Sequence, residues 1–280
     1  MEITTLENIR IDYITEILNQ SFSDYIVPFQ LTSQQLEYKI FTENIRLDLS
    51  LGVFYSGKLV GFMLHALNHT GEKLVAYNAA TGVIPDFRGQ GLVGKMYNYL
   101  IPKLRDLDVD HMVLEVIVGN QRAIRAYEKM NYRVNRTLDC FKGCFESDKK
   151  SSFLSIKQVE NFKWDDFISF WSIKPSWQNS ITTLEKSKDK ITILCAYLED
   201  ELAGYIIYNA QTKRIQQIAV PTIHRRKGIA TQLINAMTQS TGSKELYALN
   251  IDNSSSESTG FFKSLSFENN VSQLEMIKNI

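Results

Sequence analysis

The sequence predicts an α/β (α+β) chain divided into two tandem domains, and three observations carry that prediction. A strand runs into a helix over Gly82–Gly94, with Arg88, Gly89 and Gly91 at the junction, and the same order recurs over Ala219–Ala230. Alternating, strand-like segments interleave with segments whose apolar residues recur three or four apart, as on one helix face. A length of 280 residues is long for one domain and comfortable for two of about 140, each able to bury its own core. The short, charged stretch Glu146–Ser152 lacks aliphatic residues and is the predicted linker, giving domains 1–147 and 148–280.

In chain order, Ile3–Leu6 reads as an opening strand, and a helix starts near Asp12 with Tyr13, Ile14, Ile17 and Leu18 on its apolar positions. The apolar loop Phe22–Phe29 contains Pro28 and precedes a helix capped at Thr32 or Ser33. Leu51–Tyr55 and Leu59–Leu67 form a hairpin around Ser56-Gly57-Lys58, and a longer loop over Asn68–Glu72 leads to a strand over Leu74–Val83. The helix after the glycine loop carries Leu92, Met96, Leu100, Leu104 and Leu107, and Pro102 inside it predicts a kink or an early end. Met112–Val118 reads as a strand, Asn120 as an N-cap, and Ala123, Ile124, Tyr127 and Met130 as the next helix face, with Tyr132–Cys144 as a closing hairpin.

The second domain repeats this order in shorter form. A strand starts at Phe153, helices lie around Trp164–Trp171 and near Trp177–Leu184, and strands follow at Ile191–Leu198, Leu202–Tyr208 and Arg214–Val220. After the second loop come a helix with Ile229, Leu233, Ile234 and Met237, and a strand at Leu246–Asn250. A last helix, opened by a capping box of Ser254 and Glu257, carries Phe261, Phe262 and Leu265.

Thirty-one basic and 31 acidic residues cancel, which argues against a nucleic-acid surface as the main partner. No apolar run approaches the roughly 20 residues of a membrane span. Met1 opens into Glu2-Ile3-Thr4 without a basic and apolar leader, so a cytoplasmic protein is expected. There Cys140, Cys144 and Cys195 stay reduced. Cys140 and Cys144, four apart on a strand, lie about 13 Å from one another, and no metal site is expected.

Gly89 and Gly91 leave the backbone uncovered where a helix begins. The first amides of a helix have no internal partner and sit at the positive end of its dipole, so a phosphate is the natural guest. Gly89, Gly91 and Gly94 also spell the GxGxxG of a dinucleotide site, with Asp108 or Asp110 near the place of a ribose acid. The second copy has no such triplet. What the two copies share is Arg-x-x-Gly-x, with Arg88 to Gly91 matching Arg225 to Gly228.

At these residues the sequence resembles the GCN5-related N-acetyltransferases (GNAT), whose pyrophosphate loop reads Gln or Arg, two residues, Gly, one residue, then Gly or Ala. The second loop fits through Ala230; the first has Val93 at the last position, with Gly94 just beyond. The resemblance implies a tandem member of the family, each domain a mixed, mostly antiparallel twisted sheet flanked by helices. It implies acetyl-coenzyme A as cofactor, held in the first domain by Val83, Arg88, Gly89, Gln90, Gly91, Leu92, Val93, Gly94 and Asn120. Arg225, Arg226, Lys227, Gly228, Ile229 and Ala230 are the corresponding residues of the second domain. The implied activity is transfer of an acetyl group to a primary amine of a small molecule or a protein, by a monomer or homodimer.

That transfer needs a neutral nitrogen and a protonated leaving thiol. An alkyl amine titrates near about 10.4 and a thiol near about 8.5, so proton transfers must be assisted. The series Leu114, Val116, Asn120, Ala123 and Tyr127 resembles the family's second motif, which implies Tyr127 as the general acid. That motif usually closes with Gly-Phe; here Asn131-Tyr132 stand in its place, and Asn tolerates the left-handed turn. Phe262 occupies the place of Tyr127 in the second domain and has no proton to give, which points to catalysis in the first. Glu115 is a candidate base or acceptor contact, with His65 and Tyr77 as other polar groups on sheet strands. Tyr25 and Phe29 either pack their loop on the sheet or wall an acceptor pocket, in which Asp24 would meet a cationic amine. The alternative to an N-acetyltransferase is a noncatalytic acyl-coenzyme A binding or regulatory module, which Phe262 and Val93 make plausible.

Overall fold

The computed structural model describes residues 1–146 and 154–280. The boundary at 147/148, most of the predicted linker and the strand start at Phe153 lie outside the described residues. Contacts gather the chain into two units, Met1–Asn135 with Leu274–Ile280, and Arg136–Gln273.

In the first unit, β1 (Glu2–Thr5) leads to α1 (Ile11–Ser21) and α2 (Ser33–Thr42). Thr32 caps α2 in a reciprocal box with Gln35, satisfying two otherwise orphaned amides. β2 (Leu51–Tyr55) and β3 (Lys58–Thr70) turn through Ser56 and Gly57, both with positive φ, the geometry that matches strand twist in a two-residue hairpin. β4 (Lys73–Val83) follows after Gly71 and Glu72 alone, so the predicted five-residue loop is a tight turn. Ladder pairing holds Thr70 opposite Lys73 and leaves only those two residues to turn. α3 (Leu92–Asp106), β5 (His111–Ile117) and α4 (Gln121–Lys129) complete the run.

The strands lie in the order β1-β2-β3-β4-β5, antiparallel except for the parallel pair β4 and β5. Met96, Tyr97, Leu100 and Leu104 of α3 are fully buried against Leu51, Val53, Met63, Ala76 and Met112 of the sheet. α3 does not end early at Pro102. Burial of Leu104 beyond it offsets much of the roughly 3 kcal/mol that an interior proline costs, and the helix continues to Asp106.

The second unit starts in β6 (Arg133–Cys144), one strand where a hairpin was expected. Its Leu138–Cys144 stretch stays extended because Glu245–Asp252 pairs antiparallel along it. β7 (Ser155–Gln158), α5 (Trp164–Ile168), a 3-10 turn over Trp177–Asn179 and α6 (Ile181–Lys186) come next. β8 (Thr192–Leu198), β9 (Glu201–Asn209), β10 (Arg214–Ala219), α7 (Ile229–Thr241), β11 (Glu245–Asp252) and α8 (Ser256–Ser264) repeat the first unit's sequence of elements. The strand order is β6-β11-β10-β9-β8-β7, with β10 and β11 parallel. α8 is capped by Ser255, whose hydroxyl accepts from the Ser258 amide, and not by Ser254. Glu257 leaves the expected box because it pairs with Arg225.

A final strand, β12 (Glu268–Asn279), was not read from the sequence. Its residues from Leu274 onward belong to the first unit, where they stand next to β5 in strand order. Met276 is fully buried in that unit's core, Lys278 donates to the Met130 carbonyl at 2.7 Å, and Glu275 accepts from Asn135 at 2.7 Å. The three cysteines are free thiols. No helix among the described residues is long and apolar enough to cross a membrane.

Candidate active site

The first glycine loop is shaped by Arg88. Its Nε donates to the Val83 carbonyl at 3.0 Å, and its guanidinium forms a two-pronged ion pair with Asp24, at 2.6 and 2.7 Å, while also donating to the Ser21 carbonyl at 3.0 Å. Arg88 thus braces the loop, and Asp24, expected to face an acceptor amine, is spent on it. The pair holds the Asp24 carboxyl below its usual range, chiefly through the hydrogen bonds from Arg88. Gly89 and Gly91 have φ of 78° and 70°, and a Cβ added to either would find no heavy atom within 4 Å. Gly91 is the N-cap of α3 and offers no side-chain cap, so the amides that open this 15-residue helix face open space. Leu92 is buried, Val93 packs against the core, and a Cβ on Gly94 would touch Met130 at 3.4 Å, so Gly94 serves helix packing.

The second loop repeats the design with other residues. Arg225 Nε donates to the Val220 carbonyl at 3.0 Å, and its guanidinium pairs with Glu257 of α8. Arg226 takes the left-handed conformation at φ 62°, where the first loop has Gly89, and Gly228 caps α7 at φ 81° with nothing within 4 Å of an added Cβ. Lys227 lies 3.4 Å from His224, Ile229 is buried, and Ala230 follows in the first turn of α7.

Each loop sits beside a gap between parallel strands. β4 and β5 pair only from Val75 opposite His111 to Asn78 opposite Leu114, although β4 runs to Val83 and β5 to Ile117. A register shift against β3 bulges β4 at Ala79, which is where pairing with β5 stops. In the second unit β10 and β11 pair at Arg214 with Tyr247 and Ile215 with Ala248, then part at a bulge that contains Gln216.

Tyr127 of α4 approaches the parted stretch of β4 at Thr81, and burial pushes its phenol up to about 12. Asn120 caps α4, accepting from the Ala123 amide at 3.1 Å, and lies beside Tyr25, whose phenol burial likewise raises. Tyr25 and Phe29 each pack edge-on against Phe22, at 5.0 and 5.2 Å, and Phe22 rests against Phe62 of the sheet. The loop is therefore anchored on the sheet, with Tyr25 turned to the α4 end of the gap. Glu115 accepts from the Tyr77 hydroxyl at 3.2 Å. Strand alternation aims it away from the face that Leu114 and Val116 share with Tyr127, so the structure does not bring Glu115 and Tyr127 together. His65 is fully buried, its ring edge-on to Tyr97 and its nitrogens without partners; burial lowers it to about 3, which keeps it neutral.

Sequence reasoning missed a cavity of about 380 Å³ in the second unit, lined by Arg225, Gly228, Gln216, Tyr205, Trp171 and Phe262. Trp171 donates to the Tyr205 hydroxyl at 2.6 Å, and Tyr205 donates to Gln217 at 2.8 Å. The aromatic density of Phe162–Trp177 was the available signal. It points at a wall only once β9 and β10 set Tyr205 and Gln217 beside it.

The profile of the acetyltransferase (GNAT) family matches residues 11–132 and 156–267. Among solved structures, a GCN5-related N-acetyltransferase from Sphaerobacter thermophilus superposes with a TM-score of 0.77 at 13% identity, covering 99% of this chain and 95% of that one. A tandem GNAT protein from the clavulanic acid biosynthesis pathway gives 0.72 at 11% identity, over 99% and 98%. A GCN5-related N-acetyltransferase from Anabaena variabilis gives 0.66 at 15% identity, over 99% and 72%. At these identities the likeness is one of fold. No curated protein matches the sequence.

Proposed function

The chain belongs to the acetyltransferase (GNAT) family, whose members move acyl groups from acyl-coenzyme A to amine acceptors, and on that premise we propose that its first domain is an acetyl-coenzyme A dependent N-acetyltransferase. One observation carries this reading: Tyr127 meets β4 at Thr81, two residues before Val83, where the strand gives way to the bare amides of Gly89–Leu92. A phosphate site and a buried phenol thus flank one gap.

The open space at Gly89 and Gly91 fits a diphosphate, which the amides of residues 89–92 would hold, with Arg88 fixing the loop's shape. Acetyl-coenzyme A supplies an activated carbonyl and a thiolate leaving group. Tyr127, raised to about 12, stays protonated through the physiological range and holds its proton for sulfur. Deprotonation of the acceptor amine falls to water or to a group brought by the acceptor, since Glu115 faces elsewhere. Tyr25 and Phe29 bound the acceptor's approach. The acceptor is a primary amine of a small molecule or a protein.

The second domain, residues 148–280, we read as holding coenzyme A through Arg225–Ala230 without turnover. Phe262, buried and stacked on Phe141 at 5.2 Å, leaves that gap without an acid. The experiment is free-thiol release from acetyl-coenzyme A with a panel of polyamines, amino sugars and peptide N-termini. Release that falls in Tyr127→Phe, with cofactor binding retained, supports the enzyme. Binding with no release from any amine supports the noncatalytic module instead.

A further inference from the structure

We propose that Thr81, Asn78, Tyr97 and Tyr132 form a polar relay that positions the Tyr127 hydroxyl and takes up the charge left when it gives its proton to the departing sulfur. The proposal rests on reading Tyr127 as the acid. Thr81 lies beside the Tyr127 phenol, whose ring packs edge-on against Tyr132 at 5.8 Å, and it meets both ends of the Asn78 amide: its hydroxyl donates to Oδ1 at 2.9 Å, and Nδ2 donates to Oγ1 at 2.7 Å. Asn78 Nδ2 also donates to the Tyr97 hydroxyl at 2.8 Å, which accepts from Tyr132 at 3.2 Å. Asn78, Tyr97 and Tyr132 are all buried.

This arrangement has two settings for one hydroxyl. With Tyr127 protonated, its O–H donates to Thr81, and Thr81 donates to Asn78 Oδ1. When the Tyr127 O–H bond breaks and an S–H bond forms, Thr81 turns to donate to the phenolate oxygen while Asn78 Nδ2 donates to Thr81. No proton leaves the relay. Tyr127 regains its own from the acylated nitrogen, still carrying its extra proton, or from water.

The chain carries its own control. Counting back and forward from the matching Val83 and Val220, Asn78 corresponds to Ile215, Thr81 to Ile218 and Tyr97 to Ile234. In the following helix and strand, Tyr127 corresponds to Phe262 and Tyr132 to Phe267. Every member of the network is hydrocarbon in the second unit, where Ile215, Ile234, Phe262 and Phe267 are buried and Ile218 packs against them. The same fold therefore closes without polar atoms at these positions, and packing alone does not require them in the first unit. Buried polar groups are costly unless fully bonded, so their presence as a set, together with the acid, marks a joint role.

The test compares Thr81→Val, Thr81→Ser, Tyr127→Phe and the Thr81→Val/Tyr127→Phe pair in the full chain. Loss of a hydrogen bond to a developing charge predicts a fall in kcat of about ten- to a hundredfold for Thr81→Val, with KM for acetyl-coenzyme A unchanged. Thr81→Ser restores the rate, and Thr81→Val adds nothing in the Tyr127→Phe background. Without cofactor or acceptor, the ¹³Cζ resonance of Tyr127 shifts in Thr81→Val and stays in place in Thr81→Ser. Tyr97→Phe gives a second route to the same answer, with a smaller loss that also vanishes in the Tyr127→Phe background. A slow Tyr127→Phe beside an unimpaired Thr81→Val, or an unmoved ¹³Cζ resonance, overturns the relay and leaves the acid standing. An unimpaired Tyr127→Phe overturns both.

Discussion

Gly57 and Gly91 make a matched pair of perturbations. Both are left-handed, at φ 77° and 70°, and an added Cβ at either meets nothing within 4 Å. Alanine at each position therefore carries backbone strain alone, about 1 kcal/mol, with no steric clash to repair. Urea midpoints should fall by the same small amount in Gly57→Ala and Gly91→Ala. Their surroundings differ: Gly57 turns a hairpin, while Gly91 caps α3 where a diphosphate would lie against bare amides. A methyl group there pushes the anion off one amide, a charge-assisted bond worth roughly 1.5–3 kcal/mol. Titration calorimetry with coenzyme A should then show Kd weakened about ten- to a hundredfold in Gly91→Ala and unchanged in Gly57→Ala. If the second loop binds as well, Gly228→Ala removes its share of the stoichiometry and leaves the Gly91 site intact. Equal affinity in Gly57→Ala and Gly91→Ala would refute the assignment of the phosphate site.

Because burial lifts Tyr127 to about 12, its protonated form persists as pH rises, so kcat should climb with deprotonation of the acceptor amine and show no alkaline fall up to pH 10. His65 is neutral when folded, lowered to about 3, whereas the unfolded chain takes up its proton below about 6.5. Stability is therefore lost as pH drops through that window, by about 2 kcal/mol at pH 5, and His65→Phe should flatten the difference between urea midpoints at pH 7 and pH 5. Met276→Ala empties a fully buried site and should cost about 2–5 kcal/mol, read as a lower unfolding midpoint and as earlier exchange of first-unit amides than of second-unit amides. A stability equal to wild type would detach β12 from that core.

What the sequence disclosed was local. Periodicity and capping chemistry located both glycine loops, the hairpin at Gly57, the Thr32 and Asn120 caps, and the left-handed Asn131, because each depends on residues within a few positions. Partners distant in the chain were not legible. Asp24 looked available until α1 ended beside Arg88, and Ser254 looked like a cap until Arg225 drew Glu257 away. β6 was read as a hairpin because nothing in Tyr132–Cys144 announces that Glu245–Asp252 will run beside it. Thr81 and Asn78 passed as ordinary strand residues, since only the bulge at Ala79 lets their side chains meet and only the approach of α4 sets Tyr127 beside Thr81.

The exchange at β12 also sets an order of events at the ribosome. Leu274–Ile280 emerge only after all of Arg136–Gln273, and at roughly 5–20 residues per second that interval lasts on the order of 7 to 30 s. Throughout it, β5 presents an unpaired edge to the cell, the kind of surface that chaperones hold and that stray strands extend. A nascent chain cut short anywhere in the second unit leaves that edge of the first one uncovered.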